Sequence, residues 1–130
     1  MPDRTTAFAA ALLLGVGLVS VPARAVEQRD FEVRNAGQLG NLCAAKRPEK
    51  DGLAAENFCH GFTQAAVDMQ LTQERKSGGA KTICFPNPAP KRTATLDEFV
   101  TWVRAQPARL SAPPTEAFLQ FMTERFPCPK

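Results

Sequence analysis

Apolar positions along this chain recur mostly at intervals of three and four, the spacing that gathers side chains on one face of a helix. From about residue 35 to 46, Leu39, Leu42 and Cys43 fall at i, i+3 and i+4. Gly37 and Gly40 weaken that helix, and Pro48 and Gly52 break the pattern after it. A longer periodic segment runs from about residue 53 to 73. Phe58, Phe62, Ala65 and Met69 make its stripe, and Cys59, Ala66 and Leu71 widen it on the flanks. Glu74, Arg75 and Lys76 form its polar end, and Gly78-Gly79 closes it.

A third helix is expected from Thr95. Thr95-Leu96-Asp97-Glu98 reads as a capping box, with Thr capping the backbone and Glu reaching back to it. Leu96, Phe99, Val100 and Val103 form its apolar face, Trp102 lies partly off that stripe, and Pro107 ends it. A fourth helix starts between Ser111 and Pro114, where proline is tolerated because first-turn N–H groups have no partner within the helix. It carries Phe118, Phe121, Met122 and Arg125 until Phe126-Pro127-Cys128 stops it. The chain has no Tyr and few alternating β-branched runs, so strands are not expected. The pattern predicts an all-α, four-helix domain.

Between the second and third helices, Pro86, Pro88 and Pro90 forbid a helix and favour an extended course. An SH3-type ligand is one reading of that segment. A stiff loop pinned by Cys84 accounts for it better.

The N-terminal stretch has the form of a secretory signal peptide. Arg4 gives it a weakly positive head, an apolar run follows from about residue 7 to 19, and Ala23-Arg24-Ala25 supplies the small-x-small cleavage pattern. The run is short for a membrane span, which takes about 20 residues, and no Cys follows the cleavage point to accept a lipid. Residues 1–25 are therefore read as a signal peptide directing the protein to the periplasm. What remains is an irregular arm, 26–34, and one helical domain, 35–130. Cleavage lowers the net charge only from +3 to +2. That value is too mild, and the charges too mixed in sign, to point to nucleic acid or to an anionic membrane.

Cys43, Cys59, Cys84 and Cys128 all follow the signal. An even number of cysteines in a small exported chain reads as a disulfide framework. Four cysteines allow three connectivities, and sequence alone does not choose among them. Antiparallel hairpins of helices one and two, and of three and four, favour Cys43–Cys59 and Cys84–Cys128.

Candidate chemistry is sparse. The cysteine spacings are too wide for a zinc knuckle. Cys59-His60 does not form a nucleophile–base pair, because adjacent helix residues point apart. Glu56 and Asp68 share a helix without a separation that specifies a carboxylate pair, and Asp97 and Glu98 belong to a helix start. No phosphate-binding, dinucleotide, haem or serine-nucleophile motif is present. The expectation is a protein that is not an enzyme and uses no cofactor or metal. Phe58/Phe62 and Phe118/Phe121/Met122 are candidates to line a ligand pocket, although their spacing is that of core.

Three motifs in order resemble a known family. Cys59-His60-Gly61-Phe62-Thr63-Gln64-Ala65-Ala66-Val67-Asp68 is similar to a C-x-G-aromatic-x-x-G-x-x-D helix, with Ala65 where Gly is usual. Ile83-Cys84-Phe85-Pro86 is similar to an I-C-x-P turn, and Phe126-Pro127-Cys128 to a terminal F-P-C. Together with Leu39–Cys43 they resemble the Rap1a/Tai immunity proteins, small exported helical proteins that neutralise peptidoglycan amidase effectors of type VI secretion. The resemblance implies the scaffold and a protein partner, and it carries over no partner-binding residue. Trp102, Phe85 and Arg92 are candidate anchors for such a partner. A homodimer is compatible with the sequence. The alternative of another class is a periplasmic stress chaperone resembling the HdeA-like helical proteins, which would open at low pH. A small-molecule carrier would need a cavity.

Overall fold

The structure is a computed structural model that describes residues 26–129. The stretch read as a signal peptide, residues 1–25, lies outside them. Among the described residues there are helices and no strands. A 3-10 helix, Gln28–Glu32, precedes α1 (Ala36–Ala44), α2 (Gly52–Ser77), α3 (Arg92–Arg104), α4 (Pro107–Ser111) and α5 (Pro114–Arg125). The arm expected to be irregular is thus partly ordered. Val26 and Asp30 are buried, and the Asp30 carboxylate accepts the Glu27 N–H at 3.0 Å.

The short helix α1 is the hub. Asn35 caps it by accepting the Gln38 N–H at 2.9 Å. Its Ala36, Leu39 and Leu42 are fully buried, and it touches the 3-10 helix and all four other helices. Each buried Leu is worth about 1.5–3 kcal/mol against exposure. Gly40 sets the approach to α3, since a Cβ there would stand 3.0 Å from Val103 Cγ1. Gly52 is more constrained. A Cβ on it would lie 1.9 Å from the Lys46 carbonyl oxygen, so the turn between α1 and α2 closes only on glycine.

The disulfides are Cys43–Cys59, with Cα atoms 5.1 Å apart, and Cys84–Cys128, at 4.9 Å. This is the pairing that helical hairpins favour. The first disulfide corrects the expected face of α2. Bonding Cys59 to α1 fixes the rotation of α2 about its axis. The line facing the core is therefore Ala55, Cys59, Thr63, Ala66 and Glu74. Small residues on that line admit α1, and Thr63 is accommodated because its hydroxyl donates to the Cys59 carbonyl at 2.7 Å. The predicted stripe is turned outward: Phe58 and Phe62 are half-buried, Ala65 is exposed, and Met69 is 69% exposed. Phe58 packs edge-on against Phe31 of the arm, with ring centroids 5.8 Å apart.

Two helix boundaries also differ from expectation. The capping box at Thr95 is not used. Lys91, directly after Pro90, is extended, and nothing in Arg92-Thr93-Ala94 opposes a helix, so α3 starts one turn early. Thr95 becomes a buried second-turn residue, and Glu98 turns instead to Arg125 of α5. Pro107 does not merely end a helix. α3 stops at Arg104, and Pro107 then opens the short α4, where its missing N–H costs nothing. α5 begins at Pro114, as expected. At the far end of α2, Gly78 takes the left-handed conformation at φ 63° and ends the helix. The Glu74 carboxylate then accepts the Thr82 N–H at 3.1 Å, and the Thr82 hydroxyl and Gln70 amide also donate to it. These donors hold the Glu74 carboxyl below its usual range.

Candidate functional site

The proline segment does not lie flat on the helices. Cys84 ties it to Cys128, and the Cys84 N–H donates to the Phe126 carbonyl at 2.9 Å. Phe85 leans on Phe126, with centroids 5.1 Å apart. Contrary to what its prolines led one to expect, the segment is not extended throughout: it bends at Asn87-Pro88, whose peptide bond is cis, before Ala89 and Pro90 pass α2. A cleft of about 330 Å³ remains between the segment and the helices. α2 lines it with Thr63, Gln64, Val67 and Asp68, and the start of α3 with Arg92, Thr95 and Leu96. α5 contributes Phe118 and Met122, and the segment itself contributes Phe85, Ala89 and Pro90.

The floor and the rim differ in chemistry. Leu96, Phe118 and Met122 are almost completely buried beneath the cleft. The two floor hydroxyls are engaged within their own helices, Thr63 with the Cys59 carbonyl and Thr95 with the Lys91 carbonyl at 3.4 Å. The floor is therefore effectively apolar. The rim carries Asp68 and Arg92, both exposed. Neither makes a hydrogen bond or ion pair among the described residues.

The cleft can seat one large apolar side chain. Burying such a group yields about 1.5–3 kcal/mol. By itself that corresponds to a dissociation constant of millimolar or weaker. The arrangement suits an anchor point within a wider protein interface better than a small-molecule carrier.

Of the anchors suggested by the sequence, Phe85 and Arg92 come together in this cleft, and Trp102 does not. Trp102 is half-buried in a separate, shallower hollow between α3 and α5, lined also by Asp97, Glu98, Thr101 and Phe121. Its indole N–H donates to Glu124 Oε2 at 2.7 Å. The Arg109 guanidinium lies 3.9 Å from the ring centroid and donates to the Trp102 carbonyl at 2.8 Å. Gln120 and Trp102 donate to Glu124, and Arg125 pairs with Glu98, so both carboxyls are held below the usual range.

The candidate pocket-lining clusters divide in the same way. Phe118 and Met122 floor the cleft, Phe121 belongs to the Trp102 hollow, and Phe58 and Phe62 join neither. Glu56 pairs with Arg47 at 2.7 Å, which lowers its pKa, and takes no part in a carboxylate pair with Asp68. Cys59 is oxidised, so no thiol stands beside His60. Among the described residues, no cluster of three His, Cys, Asp or Glu side chains is placed to hold a metal ion. Gln64, Val67, Ala89 and Pro90 are site residues that the sequence reading did not single out. Gln64 and Val67 stand on α2 and Ala89 and Pro90 on the segment tied down at Cys84, and nothing in the local pattern signals that they meet.

Residues 35–128 match the family of Rap1a immunity proteins. No curated protein and no solved structure matches the chain.

Proposed function

The chain belongs to the Rap1a immunity proteins, and from that premise we propose that it binds and neutralises a peptidoglycan amidase effector of type VI secretion in the periplasm. The observation that carries this reading is the family match, which spans α1 to Cys128 and so nearly the whole described domain. Two disulfides support an oxidising compartment, where such bonds form and persist. The cleft with its apolar floor supplies the kind of feature that anchors a protein partner.

The proposal is tested by mixing the purified, disulfide-bonded protein with the amidase effectors of its own strain and following release of peptidoglycan fragments. The expected result is a stable complex of fixed stoichiometry with one amidase, whose hydrolysis stops at molar equivalence. Full hydrolysis by every such amidase in the presence of excess protein would refute it.

A further inference from the structure

We infer that the cleft between α2, the proline segment, α3 and α5 is a receptor for one aliphatic or aromatic side chain of the partner protein, presented between an acidic and a basic neighbour. The floor fixes the central residue. Leu96, Phe118 and Met122 offer carbon surface, and the nearby threonine hydroxyls are already engaged, so a polar side chain entering there would lose water without gaining partners. The rim fixes the flanks. Arg92 and Asp68 bear opposite charges, do not pair with each other and pair with nothing else among the described residues. Arg92 attracts a carboxylate, reinforced by the positive end of α3, in whose first turn it stands. Asp68 attracts an ammonium or guanidinium group.

The space is already open in the free protein. The Cys84–Cys128 bond anchors the segment at one end, the chain bends at the cis Asn87-Pro88 peptide, and Ala89 and Pro90 beyond it form one wall of the cleft. The receptor is thus formed before the partner arrives, which lowers the cost of binding.

This inference rests on the immunity reading for the partner's identity and on the cleft alone for the partner's chemistry, so its test has two arms. In the first, blocked tripeptides with Leu or Phe between Glu and Lys, in both orders, are titrated up to about 100 mM against the protein. Methyl resonances of Val67, Leu96 and Met122 are followed. One order is expected to give saturable shifts centred on these residues, and replacing its central residue by Ala should weaken them by roughly tenfold. Ala89→Trp, a plug built on an exposed position of the wall, should abolish them while leaving the thermal transition in place.

In the second arm, the plug should weaken binding of the inhibited amidase by roughly 30-fold, and Arg92→Glu or Asp68→Lys by about 5- to 10-fold each. Peptide shifts that are absent, scattered or unchanged by the plug would overturn the receptor. Unaltered amidase inhibition by a folded Ala89→Trp protein would do so as well, and would leave the immunity reading standing. Saturable peptide binding by a protein that inhibits no amidase would support the receptor and remove the immunity reading.

Discussion

The two hollows share α3 and α5, the cleft adding α2 and the proline segment, and have opposite chemistry. In the Trp102 hollow every conspicuous group is spent. The indole N–H is on Glu124, its ring lies under Arg109, and Glu98 holds Arg125. In the cleft the charges at the rim have no partner among the described residues, and the apolar floor faces a space that the proline segment does not fill. A satisfied network gives the fold rigidity and offers little to a newcomer, because a partner would have to replace bonds already made. Idle charges over an apolar floor contribute little to the fold and remain available. Trp102 is the residue type most enriched at protein interfaces, yet its surroundings mark it as structural, whereas the less conspicuous Arg92 and Asp68 remain free to bind.

The sharpest way to break this contrast is to remove the Cys84–Cys128 bond. It closes 44 residues, and restricting a loop of that length in the unfolded chain is worth about 4 kcal/mol. The double variant Cys84→Ser/Cys128→Ser should lose about that much in guanidinium unfolding. The cleft should lose its wall, while the Trp102 hollow, which the helices hold, keeps its native fluorescence below the transition. Trp102 is the only tryptophan, so its emission reports that hollow alone. Quenched or red-shifted native emission would show that the two hollows are not independent.

Trp102→Ala probes the other side. The residue is half-buried, so the cost should fall below that of a fully buried aromatic, at about 2 kcal/mol by chemical denaturation. Tripeptide shifts at Leu96 and Met122 should survive. Their loss in a folded variant would mean that the cleft borrows its shape from the hollow.

Acid should act on the satisfied network more gently. Glu98 and Glu124 have folded pKa values below their ordinary range, chiefly through Arg125 and Gln120 respectively, and Glu74 is lowered by Thr82. A carboxyl of this kind stabilises the fold fully above its unfolded pKa, about 4.3 for Glu, and ceases to do so as pH falls through the folded value. The urea midpoint should therefore stay level from pH 7 to about 5 and drop below about 4. Glu98→Gln should make that drop shallower. The Glu98–Arg125 pair is nearly half exposed on both sides, so its share is small. A midpoint that rises on acidification would contradict the assignment. Failure to suppress aggregation of a client protein at the same low pH would count against the stress-chaperone alternative.

The helical class, the positions of the long helices and the two disulfides were legible in the sequence because they depend on local periodicity and on hairpin geometry. What escaped depended on contacts distant along the chain. Cys59 carries one sulfur among several large apolar neighbours, so period alone placed the stripe on Phe58, Phe62 and Met69; with Cys59 bonded to Cys43, the buried line lies beside that stripe, and Phe58 and Phe62 pack at its edge. Thr95 and Glu98 have the spacing of a cap, but Arg125 on another helix claims the glutamate. Phe85 and Arg92 were visible as candidates, and Asp68 only as a carboxylate whose separation from Glu56 specifies no pair. Their meeting around one space required knowing how far the proline segment stands off α2.

The smallest expected effect is the most telling. Asp68→Asn and Arg92→Gln should each change stability by no more than about 0.5 kcal/mol, as is usual for surface groups without partners. Arg92→Gln should lean toward stabilisation, because a cation in the first turn of α3 opposes the helix dipole and no side chain caps that end. Paired denaturation curves for the two single variants and the double variant decide the matter. If the two charges do not interact in the free protein, the single effects add. A coupling of about 1 kcal/mol or more would mean that Asp68 and Arg92 close on each other in solution. The cleft would then be a second satisfied network like that of Trp102, and any partner would have to break an ion pair to enter it.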